Sequence, residues 1–353
     1  MPWHCLDWGR VPLAVLRLPD SERPAALIEH VRSHEGDLPP EAFFESVPMR
    51  LAEEAAVVLG FLGGAATVIS LPLLIAYAAL AGSFNMAVAL VFVLVSLTTH
   101  PLPTLRSLHS SFVVVLLFKY FSFKFVWEGD RDLRVRSAST APWIGYGVPH
   151  GVFPFGNLLC TAAFGLFGVE FVGTCADVVF RIPLLRWLTM LGVVSASKKS
   201  ITAQLGKGVN VGLVPDGIAG IYATSPSVER VAVAKRRGAA RLAVELGVVV
   251  HPAFLLGNSM CLHVWADASG VLERLSRTLR VSLMVFWGRW GLPIPRRQQV
   301  VFTFGEPVRV EKTAAPSEEA VRVTHEHIID GLRQTYAKVA PAFGWAGRPI
   351  EFI

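Results

Sequence analysis

Gly145-Tyr146-Gly147-Val148-Pro149-His150-Gly151, running on into Val152-Phe153-Pro154-Phe155, is the stretch on which the fold of this chain turns. Residues 143–148 are apolar, with aromatic and β-branched side chains bounded by Pro149 and Gly151, so they predict a short buried strand with His150 at its end. A single titratable side chain between a proline and a glycine, in an otherwise uncharged segment, does nothing for solubility. A neutral imidazole there can accept a proton from a hydroxyl, because the ordinary histidine pKa lies near neutrality and burial keeps the ring uncharged. Taken alone, a histidine in such a segment is more often a core side chain hydrogen-bonded to backbone.

Working outward, short apolar runs at 209–214, 248–255 and 300–304 predict further strands, and helical patterns fall between them at 198–205 and 234–246. The second of these ends at Gly247, as a helix terminus should. A final helix at 317–339 places Val321, Ile328, Leu332, Tyr336 and Val339 near one face. Strands alternating with helices indicate an α/β domain.

The 353-residue chain as a whole is unusually apolar: 52% of residues are hydrophobic, 17% are charged and the mean hydropathy is +0.48. A membrane contact is expected. The net charge of +6 suits an anionic surface or substrate, while the dispersed Lys and Arg residues, with no nucleic-acid-binding signature, argue against nucleic acid. Cys5, Cys160, Cys175 and Cys261 are scattered, with no C-x-x-C pair or closely spaced histidine. Neither a disulfide framework nor a metal site is expected, and a reducing, cytosol-facing location fits.

Residues 1–54, interrupted by Pro12, Pro19, Pro24, Pro39, Pro40 and Pro48, read as a loosely ordered cytosolic arm, with folding against the body as the alternative. Its acidic start does not resemble a cleaved signal peptide. Residues 55–105 contain no Lys, Arg, Asp or Glu. A spanning helix needs about 20 apolar residues, so this run has room for a membrane-embedded hairpin, with arms at 55–81 and 86–97 and a turn at Gly82-Ser83-Phe84-Asn85; a buried pair of core helices is the alternative. Arg50 before it and Arg106, Lys119 and Lys124 after it mark the cytosolic side. Residues 111–126 then mix aromatics with two lysines, suiting either an interfacial segment or a helix leading into the globular domain, which occupies 106–353.

Several motifs are excluded. The third glycine of a dinucleotide fingerprint starting at Gly145 falls on His150, Gly206-Lys207 lacks the glycine of a phosphate loop, and no G-x-S-x-G elbow occurs. His325 and Asp330 spell H-x-x-x-x-D, but on one helix they diverge by about 140°, so the match is treated as chance.

In this order the remaining words resemble the type 2 diacylglycerol acyltransferase family, in the form seen in plants and algae. Pro149-His150-Gly151 resembles its H-P-H-G or E-P-H-S segment. Leu213-Val214-Pro215-Asp216-Gly217 corresponds to its P-G-G segment, and Arg236-Arg237-Gly238 through Arg241, Gly247, Pro252, Phe254 and Gly257-Asn258 to its R-R-G block. Phe286-Trp287-Gly288, Leu292-Pro293-Ile294-Pro295 and Gly305-Glu306-Pro307-Val308 complete the series. The chain departs from the pattern at Val148, which replaces the first histidine, at Gly147, which lengthens the spacing, and at Ala239. It departs twice more around the P-G-G segment: Asp216 stands where a glycine is expected, and Gly220 where an acidic residue is expected.

The resemblance implies a membrane-anchored acyltransferase that esterifies diacylglycerol to triacylglycerol with fatty acyl-CoA as co-substrate. It implies no cofactor or metal, at the endoplasmic reticulum membrane or lipid droplet, with the site facing the cytosol or interface. Monoacylglycerol or a long-chain alcohol as acceptor, an inactive lipid-binding homologue and a homo-oligomer are all compatible with it. In this reading His150 is the base. Pro149, Gly151, Pro215, Asp216, Gly217, Arg236, Arg237, Gly238, Arg241 and Asn258 line the substrates; Asp177 and Asp216 are the candidate carboxylates for orienting His150, each with an ordinary salt-bridge or turn role as the alternative. Arg230, Lys235, Arg236, Arg237 and Arg241 form the densest basic cluster, suited either to CoA phosphates or to a solvated helix face. The basic and aromatic stretch from Arg274 to Arg297 suits a lipid interface.

Overall fold

In the computed structural model the described residues are 1–99, 102–134, 142–182, 185–267 and 269–353, so residues 100–101 of the expected hairpin lie outside them. The described residues form thirteen strands: β1 (Trp3–Asp7), β2 (Arg32–His34), β3 (Lys124–Glu128), β4 (Ile144–Val148), β5 (Phe171–Cys175), β6 (Val193–Ser195), β7 (Asn210–Leu213), β8 (Glu229–Val231), β9 (Val250–Leu256), β10 (His263–Val264), β11 (Phe286–Trp287), β12 (Val301–Phe304) and β13 (Ile350–Phe352). Nine of them make one mixed sheet in the order β2-β1-β3-β12-β9-β4-β7-β5-β6. From β9 to β6 every neighbouring pair is parallel. Parallel strands need crossovers, and helices supply them: Phe155–Leu166 leads from β4 towards β5, and Lys198–Gly206 from β6 to β7. The α/β class expected from the sequence is the one observed.

The sheet is covered on both faces, which explains why its strands read as apolar runs. Along β4, Ile144, Tyr146 and Val148 join one core with Phe254, Ile328 and Leu332. Gly145 and Gly147 face the other way, towards the helix Phe155–Leu166 and a core of Trp8, Phe118, Phe125, Phe164 and Phe302. The helix Gly238–Leu246 ends at Gly247, whose φ of +68° is left-handed. The helix Glu318–Val339 starts at Ser317, whose hydroxyl accepts from the Ala320 amide.

The N-terminal residues are not a loose arm. β1 lies inside the sheet, antiparallel to β3, with Asp7 opposite Lys124. The Lys124 ammonium is fully buried and lies 2.9 Å from Asp7. Trp8 is also fully buried and stacks on Phe118 at 5.5 Å. The prolines that argued against long helices break residues 1–50 into short pieces without preventing them from packing. The segment 111–126 likewise divides: Phe112–Tyr120 is helix, and residues 124–126 open β3.

Most of the uncharged run lies in two helices, Leu51–Leu80 and Phe84–Thr99, turning at Gly82. Counted over the described residues, no helix is long and apolar enough to cross a membrane. The first helix is tied to the domain at its base. Lys119 meets Glu53 at 2.6 Å, Arg289 and Arg297 both reach Glu54, and Phe61 packs on Tyr120 and Phe155.

Integration of β1 has a measurable consequence. Trp8→Ala should lower unfolding stability by about 3–5 kcal/mol, as for a large aromatic removed from a core. A change of about 0.5 kcal/mol or less in denaturant unfolding, the usual surface value, would instead mark residues 1–8 as dispensable.

Candidate active site

Three neighbouring parallel strands, β9, β4 and β7, end on the same side of the sheet, and the residue groups that follow them meet there. In sheets of this kind ligands bind outside the carboxyl ends of the strands. β4 leads to Pro149-His150-Gly151, β7 to Pro215-Asp216-Gly217, and β9 to Gly257-Asn258. The middle strand carries the histidine, and the outer two carry the groups that hold it.

The His150 amide donates to Asp216 Oδ2 at 2.8 Å. Its carbonyl accepts from Asn258 Nδ2 at 2.7 Å, and the same amide group also reaches the Pro149 carbonyl at 3.3 Å. Asn258 Oδ1 accepts from the Gly156 amide at 3.0 Å, so one buried side chain ties the loop to the first turn of the next helix. The Val148–Pro149 peptide is cis, and Gly151 has a φ of +62°. A Cβ on Gly151 would also lie 3.0 Å from Asn258, so both conformation and space select glycine.

The half-buried His150 ring places Nδ1 2.8 Å from the Gly151 carbonyl oxygen. A carbonyl only accepts, so Nδ1 carries the hydrogen in this contact, and whenever the ring is neutral its lone pair is the one on Nε2. That tautomer is the one a general base requires.

Behind the loop lies a second buried carboxylate that the sequence did not single out. Glu229 is 1% exposed and accepts from Ser259 Oγ at 2.9 Å and from Arg348 Nε at 3.0 Å. Arg348 also binds the Ser225 carbonyl at 2.8 Å and stacks over Trp345. Burial pushes the Glu229 carboxyl up to about 7, against the opposing pull of Arg348. Burial likewise pushes Asp216 above the ordinary carboxylate range, opposed by the charge His150 carries when it is protonated, by the His150 amide and by Arg236. Among the described residues no cluster of His, Cys, Asp or Glu could hold a metal ion.

The structure assembles some of the expected residues and separates others. Pro149, His150, Gly151, Asp216 and Asn258 are in direct contact, and Gly217 and the half-buried Pro215 flank them. Asp216 is fully buried and engaged with the histidine's main chain, which separates it from the expected substrate lining. Arg236 is exposed and lies beside Gly217, where a Cβ would be 3.7 Å from its Nη1. Arg237 and Gly238 are exposed at the start of their helix, and Arg241 is paired with Glu318 at 2.5 Å. Asp177 is exposed in the segment Asp177–Arg181, leaving Asp216 as the carboxylate bonded to His150. The H-x-x-x-x-D pair does diverge: His325 is buried against the Ala234 carbonyl at 3.1 Å, while the exposed Asp330 pairs with Arg333.

An apolar cleft opens beside this loop, between the sheet and the helix Phe155–Leu166, with Gly147, Phe153 and Pro154 among its walls. Gly145, Gly212 and Gly173 lie side by side across β4, β7 and β5 and form its floor. The Phe171 ring sits over Gly212, where a Cβ would come within 2.5 Å of it.

Glu229 makes a pH-dependent contribution. Its folded pKa is raised, so the folded state holds the proton more tightly, and stability falls as pH rises from about 4.5 to about 7. Thermal unfolding of Glu229→Gln should show a smaller loss over that interval than the parent; equal slopes would contradict a titrating Glu229.

A profile of the family described as Diacylglycerol acyltransferase matches residues 106–346. Similar proteins include "Diacylglycerol O-acyltransferase 2-like protein 6" of Mus musculus, 27% identical over 222 residues, covering 56% of this chain and 65% of that protein. "Acyl-CoA wax alcohol acyltransferase 2" of Homo sapiens is 29% identical over 219 residues, covering 56% and 65%. "2-acylglycerol O-acyltransferase 1" of Bos taurus is 28% identical over 219 residues, covering 56% and 64%. The match thus spans about 65% of the length of these relatives. Among solved structures, the 1-acyl-sn-glycerophosphate (LPA) acyltransferase PlsC from Thermotoga maritima is similar at 15% identity and a TM-score of 0.41, covering 82% of this chain and all of that one. The profile match takes in the His150 loop, the Asp216 turn and Asn258 together, and the chain belongs to the diacylglycerol acyltransferase family.

Proposed function

We propose that the protein is an acyl-CoA-dependent O-acyltransferase that esterifies diacylglycerol, with His150 as general base. The observation that carries this reading is the His150 ring itself, held by Gly151 so that Nε2 is bare, inside the family-matched region. Nε2 takes the proton of the acceptor hydroxyl as its oxygen attacks the thioester carbonyl. Backbone amides around Gly151 stabilise the tetrahedral oxyanion. The C–S bond then breaks, the CoA thiolate leaves and takes up the proton from the imidazolium, and an ester is formed. The residues involved need no cofactor.

The apolar cleft is the natural place for the fatty acyl chain, since it begins at Gly147 and Pro154, beside the base. Arg236, exposed next to Gly217, suits the CoA phosphates, whereas Arg241 is already paired with Glu318. A bilayer supplies the acceptor in this reading. The hairpin exposes Leu59, Leu73, Leu80, Phe84 and Phe92, and Trp290 is 69% exposed with Arg289 stacked on it, a combination that suits headgroup depth. We place the protein accordingly at the endoplasmic reticulum membrane or a lipid droplet.

The relatives named for wax alcohols and 2-acylglycerols favour a second reading, in which the acceptor is a long-chain alcohol or a monoacylglycerol. Membranes containing the protein, given labelled acyl-CoA and each acceptor in turn, should yield labelled triacylglycerol from diacylglycerol. Wax ester or diacylglycerol as the main product selects the second reading, and no product from any acceptor contradicts both. His150→Ala should lower the rate by about 10²–10⁴-fold with membrane association unchanged, and near-normal activity would remove His150 from the role. Phe171→Ala opens the cleft over Gly212 and should shift the preferred acyl-CoA to longer chains; an unchanged chain-length profile would place the acyl chain elsewhere.

A further inference from the structure

Asp216 and Gly220 lie one helical turn apart, at the N-terminal boundary and within the helix Gly217–Ala223, where the Gly220 amide donates to the Asp216 carbonyl at 2.9 Å. Residues four apart on a helix share a face. The Asp216 carboxylate is folded over that face: a Cβ on Gly220 would lie 3.0 Å from Asp216 Cβ and 2.6 Å from its Cγ, the latter closer than real atoms approach. The carboxylate thus occupies the volume in which a side chain at 220 would begin. From that position Oδ2 accepts the His150 amide at 2.8 Å, while Oδ1 is buried and has no hydrogen-bond partner among the described residues. The sequence shows the same pair from another side, since Asp216 replaces an expected glycine and Gly220 an expected acidic residue.

We propose that Asp216 is the positioning residue for His150 and that Gly220 is its obligate partner, the two departures being a single exchange that moves one carboxylate back by four residues. This rests on His150 being the base. Asp216 touches no reacting atom. It holds the main chain from the β7 side while Asn258 holds it from the β9 side, and the ring orientation follows from the peptide that carries it. Gly220 is required because any side chain there displaces the carboxylate from the histidine amide.

The test compares Asp216→Ala, Gly220→Ala, Asp216→Gly and the double variant Asp216→Gly/Gly220→Glu with the full-length parent. Two quantities are read: hydrogen exchange of the peptide containing residues 148–152, and kcat and KM for acyl transfer. Asp216→Ala and Gly220→Ala should each speed exchange and lower kcat by about tenfold or more, the order expected for losing a hydrogen bond to a charged group, with both KM values within about twofold of the parent. The double variant should recover both quantities relative to Asp216→Gly. Exchange and kcat of Asp216→Ala within about twofold of the parent would overturn the proposal. So would a double variant no better than Asp216→Gly, since the exchange would then not be reciprocal. Where Asp216→Ala does not fold, Gly220→Ala carries the same readings with the carboxylate retained. If the parent transfers no acyl group, the reading of the function fails, while hydrogen exchange still decides whether Asp216 and Gly220 hold the loop.

Discussion

A histidine at the end of a buried strand is useful only if the peptide that carries it cannot turn away. Here both polar groups of that peptide are bonded to buried side chains from the flanking strands: the amide to Asp216 beyond β7, and the carbonyl to Asn258 beyond β9. Buried main-chain groups without partners are expensive, so the arrangement satisfies the loop and fixes the ring at once. The parallel register of β9, β4 and β7 brings all three residues to one end of the sheet. The geometry of the proposed base is in this sense a property of the sheet, with the loop as its outermost part.

The support continues inward through polar groups. Ser259, next to Asn258, is bonded to Glu229, and Glu229 to Arg348, just before β13, which pairs with β8. Removing one partner from such a buried pair leaves a charge unpaired and costs far more than the pair contributes. The final residues of the chain therefore bear on the site from a distance. On the opposite flank the buried Lys124–Asp7 pair fastens β1 to β3, so the first residues belong to the same sheet.

How much of this was legible in the sequence depends on how local each signal is. The strands β4, β7, β9 and β12 stand within two residues of their expected limits, because apolar runs punctuated by Pro and Gly report burial directly. The helix Glu318–Val339 carries its own cap and face. By contrast, β1 and β3 were missed: the first sits in a proline-broken segment, and the second continues an aromatic run that reads as helix or interface. Long-range pairing decided both, and no local pattern encodes it. At the site, His150, Asp216 and Asn258 stood out through motif words, but which aspartate faces His150 required the sheet order. Glu229 and Arg348 gave no signal, since a single charged residue among others does not reveal that it will be buried. The departures at 216 and 220 looked like losses in sequence and are seen in space to share one volume.

The central claim is that the fold delivers His150 with its hydrogen on Nδ1 and a bare Nε2. The most direct measurement is the ¹⁵N spectrum of the ring in histidine-labelled protein, with the His150 signals assigned by their absence from His150→Ala. A neutral ring with protonated Nδ1 and unprotonated Nε2 is predicted from the bond to the Gly151 carbonyl. The opposite tautomer, with hydrogen on Nε2, would contradict the account, because the nitrogen proposed as the base would then have no lone pair with which to accept the proton.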